Sequence, residues 1–202
     1  MRRSIEFIAT VAVIAIIASC GSGDAGGGGG SEVFSTVDIF ASYDGNPYTA
    51  DAQTLEDTTG DGFCDTSFVT ADDITATVTS MAFDPLPVGV DPCNVNISRY
   101  TLRYYPHTSA SAPIPSNTIH QSINIPPPAS AGGTLSTDII LRLFDLNQKA
   151  ALNPLLFASG ETEFQYDVKI SLKMREVCTN IDEEVEFWVP VRYFDAATDT
   201  CN

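Results

Sequence analysis

Positive charge is scarce in this 202-residue chain: ten Lys and Arg stand against 26 Asp and Glu, a formal net charge of −16 at pH 7. A surface of that sign repels nucleic acid and anionic lipid and attracts cations or basic partners, so nucleic-acid binding is excluded on charge. Histidine is nearly absent, with only His107 in "YYPHTSASAP" and His120 in "NTIHQSINI". No GxSxG elbow, HExxH helix or P-loop accompanies them, and no pair of carboxylates stands out for glycoside hydrolysis. The five cysteines form no CxxC or CxxCH motif, which removes zinc-ribbon, thioredoxin-like and c-type haem readings. Long apolar runs are also missing. Phe7 to Ile17, about eleven residues, falls well short of the ~20 needed to cross a bilayer.

That short run does have the layout of a secretory signal, with Arg2 and Arg3 before it and small residues after it. The stretch "IASC", Ile17 to Cys20, resembles the lipobox of bacterial lipoproteins, in which an aliphatic and two small residues precede the lipid-bearing cysteine. The resemblance implies residues 1–19 as signal peptide, cleavage before Cys20, a diacylglyceryl thioether on its sulfur and a third, palmitate-like acyl chain on its new amine. Each buried methylene contributes ~0.8 kcal/mol, and two or three chains anchor firmly where one does not. Gly21 stands where the inner-membrane retention signal of well-studied enteric bacteria has Asp, so the implied destination is the outer membrane. Residues 20–31, "CGSGDAGGGGGS", have no side chain large enough to pack after the cysteine. They read as a flexible tether spanning ~5–6 Å × √n. Without the leader, 8 basic and 25 acidic residues remain, a net charge of about −17.

Residues 32–202 form one domain with a sizeable core. In "EFQYDVKISLKM", Phe164, Tyr166, Val168, Ile170, Leu172 and Met174 share one face, and Gln165, Asp167, Lys169, Ser171 and Lys173 the other. That alternation is a half-buried strand. "EVEFWVPVRY" repeats it, with Val185, Phe187, Val189, Val191 and Tyr193 inward and Pro190 outward. Weaker strands span Val33 to Tyr43, Ile74 to Phe83, Val95 to Tyr105, Thr118 to Ile125 and Leu135 to Phe144. Seven strands separated by Pro, Gly, Asn and Asp clusters predict an all-β fold, a single antiparallel β-sandwich. In "DLNQKAALNP", Asp145 caps a short helix, Gln148 reaches back, and Asn153-Pro154 ends it. A helix between the fifth and sixth strands suits an immunoglobulin-like sandwich, and "RYTLRYYP" resembles the corresponding strand of fibronectin type III domains. Trp188, Phe194 and Phe144 fall on outward phases, either meeting a partner or packing under the helix and long loops.

Beyond Cys20, Cys64, Cys93, Cys178 and Cys201 suggest two disulfides in an exported chain. If each strand reverses the one before, Cys93 and Cys178 lie at the membrane-proximal end and Cys64 and Cys201 at the distal end. A disulfide needs Cα atoms within ~7 Å, so the alternation predicts Cys64–Cys201 and Cys93–Cys178. Greek-key crossings would spoil it, and the other two connectivities stay open.

"DTTGDGFCD", Asp57 to Asp65, resembles the first nine positions of the calcium loops of EF-hands, dockerins and thrombospondin type 3 repeats. The resemblance implies Asp57, Thr59, Asp61, Asp65 and the Phe63 carbonyl as ligands and Gly62 at the sharp turn. Phe68 occupies the place of the bidentate carboxylate, and Thr59 is neutral. Glu56, Asp72, Asp73, Asp195 or Asp199 would have to complete the set, and "GDG" reads equally as a tight turn in a solvated acidic loop. Calcium is the one cofactor the sequence suggests. The functional reading is a non-enzymatic, lipid-anchored envelope module that presents acidic loops to a protein or polysaccharide partner. The alternative is an envelope-anchored hydrolase that uses acidic loop residues with structural calcium.

Overall fold

Alternating burial in the longest strands organises the computed structural model, which describes residues 34–64 and 66–195. The expected leader, Cys20 and the tether lie outside them. Among the described residues there are ten strands and one helix: β1 Val37–Ser42, β2 Tyr48–Asp51, β3 Thr54–Glu56, β4 Thr66–Phe68, β5 Asp72–Ala82, β6 Val95–Pro106, β7 Asn117–Ile125, β8 Thr134–Phe144, α1 Leu146–Ser159, β9 Glu163–Glu176 and β10 Asp182–Phe194. They make a three-stranded sheet in the order β1-β5-β8, a five-stranded sheet β2-β10-β9-β6-β7, and a two-stranded β3-β4 pair.

The fold is therefore all-β, but it is not the single antiparallel sandwich of seven strands. The seven expected strands are present, and the additional β2, β3 and β4 lie in what reads as a long loop. Strands of three or four residues are too short to display an alternation. β2 also runs parallel to β10 while every other pairing is antiparallel.

One hydrophobic cluster lies between the two larger sheets. From β9 come Phe164, Tyr166, Val168, Ile170, Leu172 and Met174, all buried, and from β10 Phe187, Val189, Val191 and Tyr193. The three-stranded sheet answers with Ile74, Ala76 and Val78 on β5 and Ile139, Leu141 and Leu143 on β8. Tyr100 and Tyr104 of β6 reach across the core to β8 with their hydroxyls. The Tyr100 hydroxyl accepts from the Arg142 backbone N–H at 2.7 Å, and Tyr104 donates to the Leu143 carbonyl. Each buried hydroxyl thereby finds a partner, which a buried polar group requires.

Phe144 is a correction to the outward phase. It is fully buried, with its ring centroid 5.4 Å from Tyr104 and 5.5 Å from Tyr193. Asp72 pairs with Phe144 and Asp73 with Arg142, so Leu143 is the extra residue of a bulge. A bulge breaks the two-residue period, and both Leu143 and Phe144 turn inward.

α1 begins as expected. Asp145 accepts from the Gln148 N–H at 2.8 Å, and Gln148 Oε1 accepts from the Asp145 N–H at 3.0 Å. It does not stop at Pro154, which lies inside it, but runs to Ser159 and ends on Gly160 at φ 75°. Proline removes one helical hydrogen bond, and tertiary contacts on both sides outweigh that loss. Leu152 and Leu156 enter the core, and the Asn153 side-chain amide donates to the Ala52 carbonyl at 3.0 Å while accepting from Tyr193. Lys149 is buried too. Its ammonium donates to the Asp51 carbonyl at 2.6 Å and lies 2.7 Å from Asp72 Oδ2.

Cys93 and Cys178 are joined, with Cα atoms 5.9 Å apart and a sequence separation of 85. Beside them the buried Glu176 carboxylate accepts from the Thr36 N–H at 2.9 Å, the Ser35 hydroxyl at 3.0 Å and the Thr179 hydroxyl at 2.8 Å. Thr36 Oγ1 in turn accepts from the Cys93 N–H at 2.9 Å. The entering chain is thus latched to the β9 end of the five-stranded sheet. Cys64 is also disulfide-bonded; its expected partner Cys201 lies outside the described residues.

Candidate functional site

The loop between β3 and β4 holds Asp57, Thr59, Asp61, Gly62 and Phe63, while Asp65 lies outside the described residues. The Asp57 carboxylate folds the loop's own backbone. One oxygen accepts from the Thr59 and Gly60 N–H groups at 3.1 and 2.6 Å, and the other from the Gly62 N–H at 2.8 Å. Asp61 accepts from the Phe63 N–H at 2.9 Å. Gly60 and Gly62 take φ of 75° and 86°, a region a Cβ penalises. These amides, Gly62 first, hold the Asp57 carboxyl below the usual carboxylate range. Among the described residues no three His, Cys, Asp or Glu side chains are grouped to hold a metal.

Of the two histidines, His107 lies with Nδ1 3.3 Å from Asp167 Oδ2, both well exposed. His120 is on β7, paired in register with Arg99. Both belong to the larger feature that individual motifs do not reveal, the outer face of the five-stranded sheet.

Strand register lays that face out in rows. Crossing from β10 through β9 to β6, the rows are Pro190–Asp167–Tyr105, Trp188–Lys169–Arg103, Glu186–Ser171–Thr101 and Glu184–Lys173–Arg99. The Tyr105 and Trp188 rings lean over the strand between them until their centroids are 5.4 Å apart at 50°. Both stay open to solvent, Trp188 at 51% and Tyr105 at 45% exposure. The Lys169 ammonium sits 5.9 Å from the Trp188 ring centre and 2.6 Å from Glu186, which also accepts from Ser171 at 3.0 Å. The lysine and then the serine hold the Glu186 carboxyl below its ordinary range. In the same way Arg192 lowers Glu163, and Arg175 lowers Asp182.

A bulge shapes one end of the face. Between Ile97 and Arg99 the register of β6 shifts, and Ser98 and Arg99 are both exposed. Over it lies a cleft of about 430 Å³ lined by Asn96, Ser98, Lys173, Arg175, Val177, Asn180 and Asp182. At the other end a smaller cleft of about 160 Å³ gathers Pro47, His107, Gln165, Asp167, Pro190 and Arg192. Arg99, Arg103, Lys169, Lys173, Arg175 and Arg192 all lie on the outward rows or rims of this one face. Apart from Arg2 and Arg3, only Arg142 and Lys149 remain of the basic residues. A chain poor in cations concentrates them here.

A third cleft, of about 340 Å³, lies between α1 and the segment that leads into β7, where Ile114, Ala151, Leu152 and Leu155 give it an apolar lining.

No family model matches the chain, and no curated protein matches it. Among solved structures it is similar to a family 123 glycoside hydrolase from Clostridium perfringens, described in work on glycolipid glycan hydrolysis. The two are 8% identical with a TM-score of 0.27, and the match covers 78% of this chain and 27% of that one. The chain thus spans about a quarter of that structure's length, and a likeness at that score carries no inference about activity.

Proposed function

We propose that this chain is an exported lipoprotein, anchored through Cys20 to the envelope and to its outer membrane, that acts as a non-enzymatic binding module. On this reading the tether of residues 20–31 carries an immunoglobulin-like sandwich whose layers are the three- and five-stranded sheets. Two features support that description: the hydrophobic cluster the sheets share and the helix between β8 and β9. The partner lies along the outer face of the five-stranded sheet, in preference to the acidic loops. The observation that carries this is the half-exposed Tyr105–Trp188 pair, set among charged side chains. Large rings held open to water beside oriented polar groups are the usual anchors of a recognition surface. The acidic loop at Asp57, by contrast, spends its first carboxylate on its own turn.

Calcium in the Asp57–Asp65 loop remains part of the proposal as a local stiffener in the weak, extracellular range.

Two experiments test the reading. Radiolabelled palmitate should enter the protein in cells and be lost in Cys20→Ser. A benzophenone amino acid at Tyr105 should cross-link to envelope material, while the same group at Ile140, exposed on the three-stranded sheet, should not. Equal cross-linking at both positions contradicts the assignment of the face.

A further inference from the structure

We infer that the outer face of the five-stranded sheet binds an acidic polysaccharide, a chain of sugar rings carrying spaced carboxylates. This rests on the binding-face reading and names its ligand.

The first argument is the placement of charge. Arg103 stands directly opposite Lys169 and Arg99 directly opposite Lys173 across the β6–β9 ladder. Like charges at such positions destabilise a sheet, by up to ~1 kcal/mol each. A chain with 26 acidic residues had ample means to avoid two such rows. Lys169 is neutralised by Glu186, but Arg99, Arg103 and Lys173 make no ion pair among the described residues. The bulge at Ser98 serves the same end, since it brings Arg99 to the outer face beside Lys173. Arg103 still acts on Glu186 at longer range, and Lys173 on Asp182 and the facing Glu184, but three cations without a close carboxylate, two of them in one row, are arranged for anions that arrive at intervals.

The second argument is what lies between and beside them. Between the two basic rows lie Thr101, half-buried with its hydroxyl paired to that of Thr118, and Ser171, buried and donating to Glu186. Trp188 and Tyr105 offer aromatic faces, whose negative quadrupole attracts the polarised C–H bonds of a sugar ring. The face is also long. From Gln165 at one cleft to Arg175 at the other, ten residues of β9 span ~33 Å, which suits a polymer better than a single sugar.

Other anionic partners fit less well. The core of a protein interface is depleted in Lys and Glu, whereas here Lys169, Lys173 and Glu186 occupy the centre. Nucleic acid carries a charge every ~1.7 Å of duplex, far denser than two basic rows about 13 Å apart along β9. A polyuronate carries one carboxylate per ring, and within the ~8 Å Debye length at physiological salt it feels mainly the local cations.

The test uses the full-length protein in detergent and isothermal titration with polygalacturonate and with its fully methyl-esterified form, which keeps the rings and removes the charge. Polygalacturonate should bind about tenfold tighter than the ester, the value of roughly one charge-assisted contact. Arg99→Ser combined with Arg103→Ser should abolish that preference and leave ester binding unchanged. Trp188→Ala should weaken both polymers about fivefold or more. These side chains are exposed, so unfolding midpoints should match the parent; if the double variant is misfolded, Lys173→Ser takes its place. Equal affinity for both polymers, binding of neither, or variants that bind like the parent would overturn the inference. If neither polymer binds while benzophenone at Tyr105 captures an envelope protein, this inference fails and the binding-face reading stands. If nothing is captured either, both fail.

Discussion

Replacing Lys149 by Met should unfold the protein far more easily, although the substitution removes only one amine. Lys149 and Asp72 form a buried ion pair, with side-chain exposures of 1% and 11%. The Lys149 ammonium lies 2.7 Å from Asp72 Oδ2 and opposes the effect of burial on that carboxyl. Tyr48 donates to the other oxygen at 3.3 Å. Met keeps the stem and leaves the carboxylate buried without its counter-charge, a change that costs about 3–5 kcal/mol. For a domain of this size, ~1 kcal/mol moves the midpoint by ~2–4 °C, so thermal unfolding followed by circular dichroism should show a drop of roughly 10 °C near neutral pH. Adding Asp72→Asn should return most of it, because a pair removed together is close to neutral.

The pH dependence has a definite sign. Burial raises the Asp72 carboxyl above its ordinary value. Its folded pKa therefore lies above its unfolded one, and its contribution to stability is fully present below the unfolded pKa and lost as pH rises through the folded one. Without Lys149, which opposes the shift, the carboxyl rises further. The gap between Lys149→Met and the parent should accordingly shrink on acidification. A drop under ~2 °C, or additive single and double variants, would refute the account of how α1 is held.

Other outcomes follow from the same structure. Cys93→Ser with Cys178→Ser opens a loop of 85 residues, and denaturant unfolding should lose about 4–5 kcal/mol by the chain-entropy model. Glu176→Gln leaves the Thr36, Ser35 and Thr179 donors facing one carbonyl oxygen and a competing NH₂, so it should cost about 1–3 kcal/mol and raise hydrogen exchange at Thr36 and Cys93 first. Millimolar calcium should raise the unfolding midpoint more than magnesium does, and Asp57→Asn should remove the difference; no calcium-specific shift would leave the loop as a turn.

The parts of this fold legible in the sequence are those with a sustained period. β9 and β10 show their inward faces over ten or more residues, and their directions, with those of β5 and β6, suffice to bring Cys93 beside Cys178. β2, β3 and β4 are shorter than the pattern that reveals a strand, and the parallel pairing of β2 with β10 has no local signal at all. Phe144 was misplaced because a bulge advances the phase by one residue. α1 outlasts Pro154 because Asn153 and Leu156 are held from outside the helix. Lys149 reads as a surface residue in any window, and only the fold brings Asp51 and Asp72 to it. The candidate site was half legible: Trp188 lies on an outward phase, and Lys169 and Lys173 share one with it. That Arg103 and Arg99 face those lysines depends on strand order and on the bulge at Ser98, neither of which is written in a single segment.

The central claim, that the outer face of the five-stranded sheet is where a partner sits, is tested most directly by hydroxyl-radical footprinting read by mass spectrometry. The protein would be oxidised in its native envelope and again after purification. Trp188, the single tryptophan, and Tyr105 should be protected in the envelope, while Phe63 in the acidic loop, 74% exposed, should react equally in both. Equal oxidation of Trp188 in the two samples, or protection of Phe63 in its place, would contradict the account.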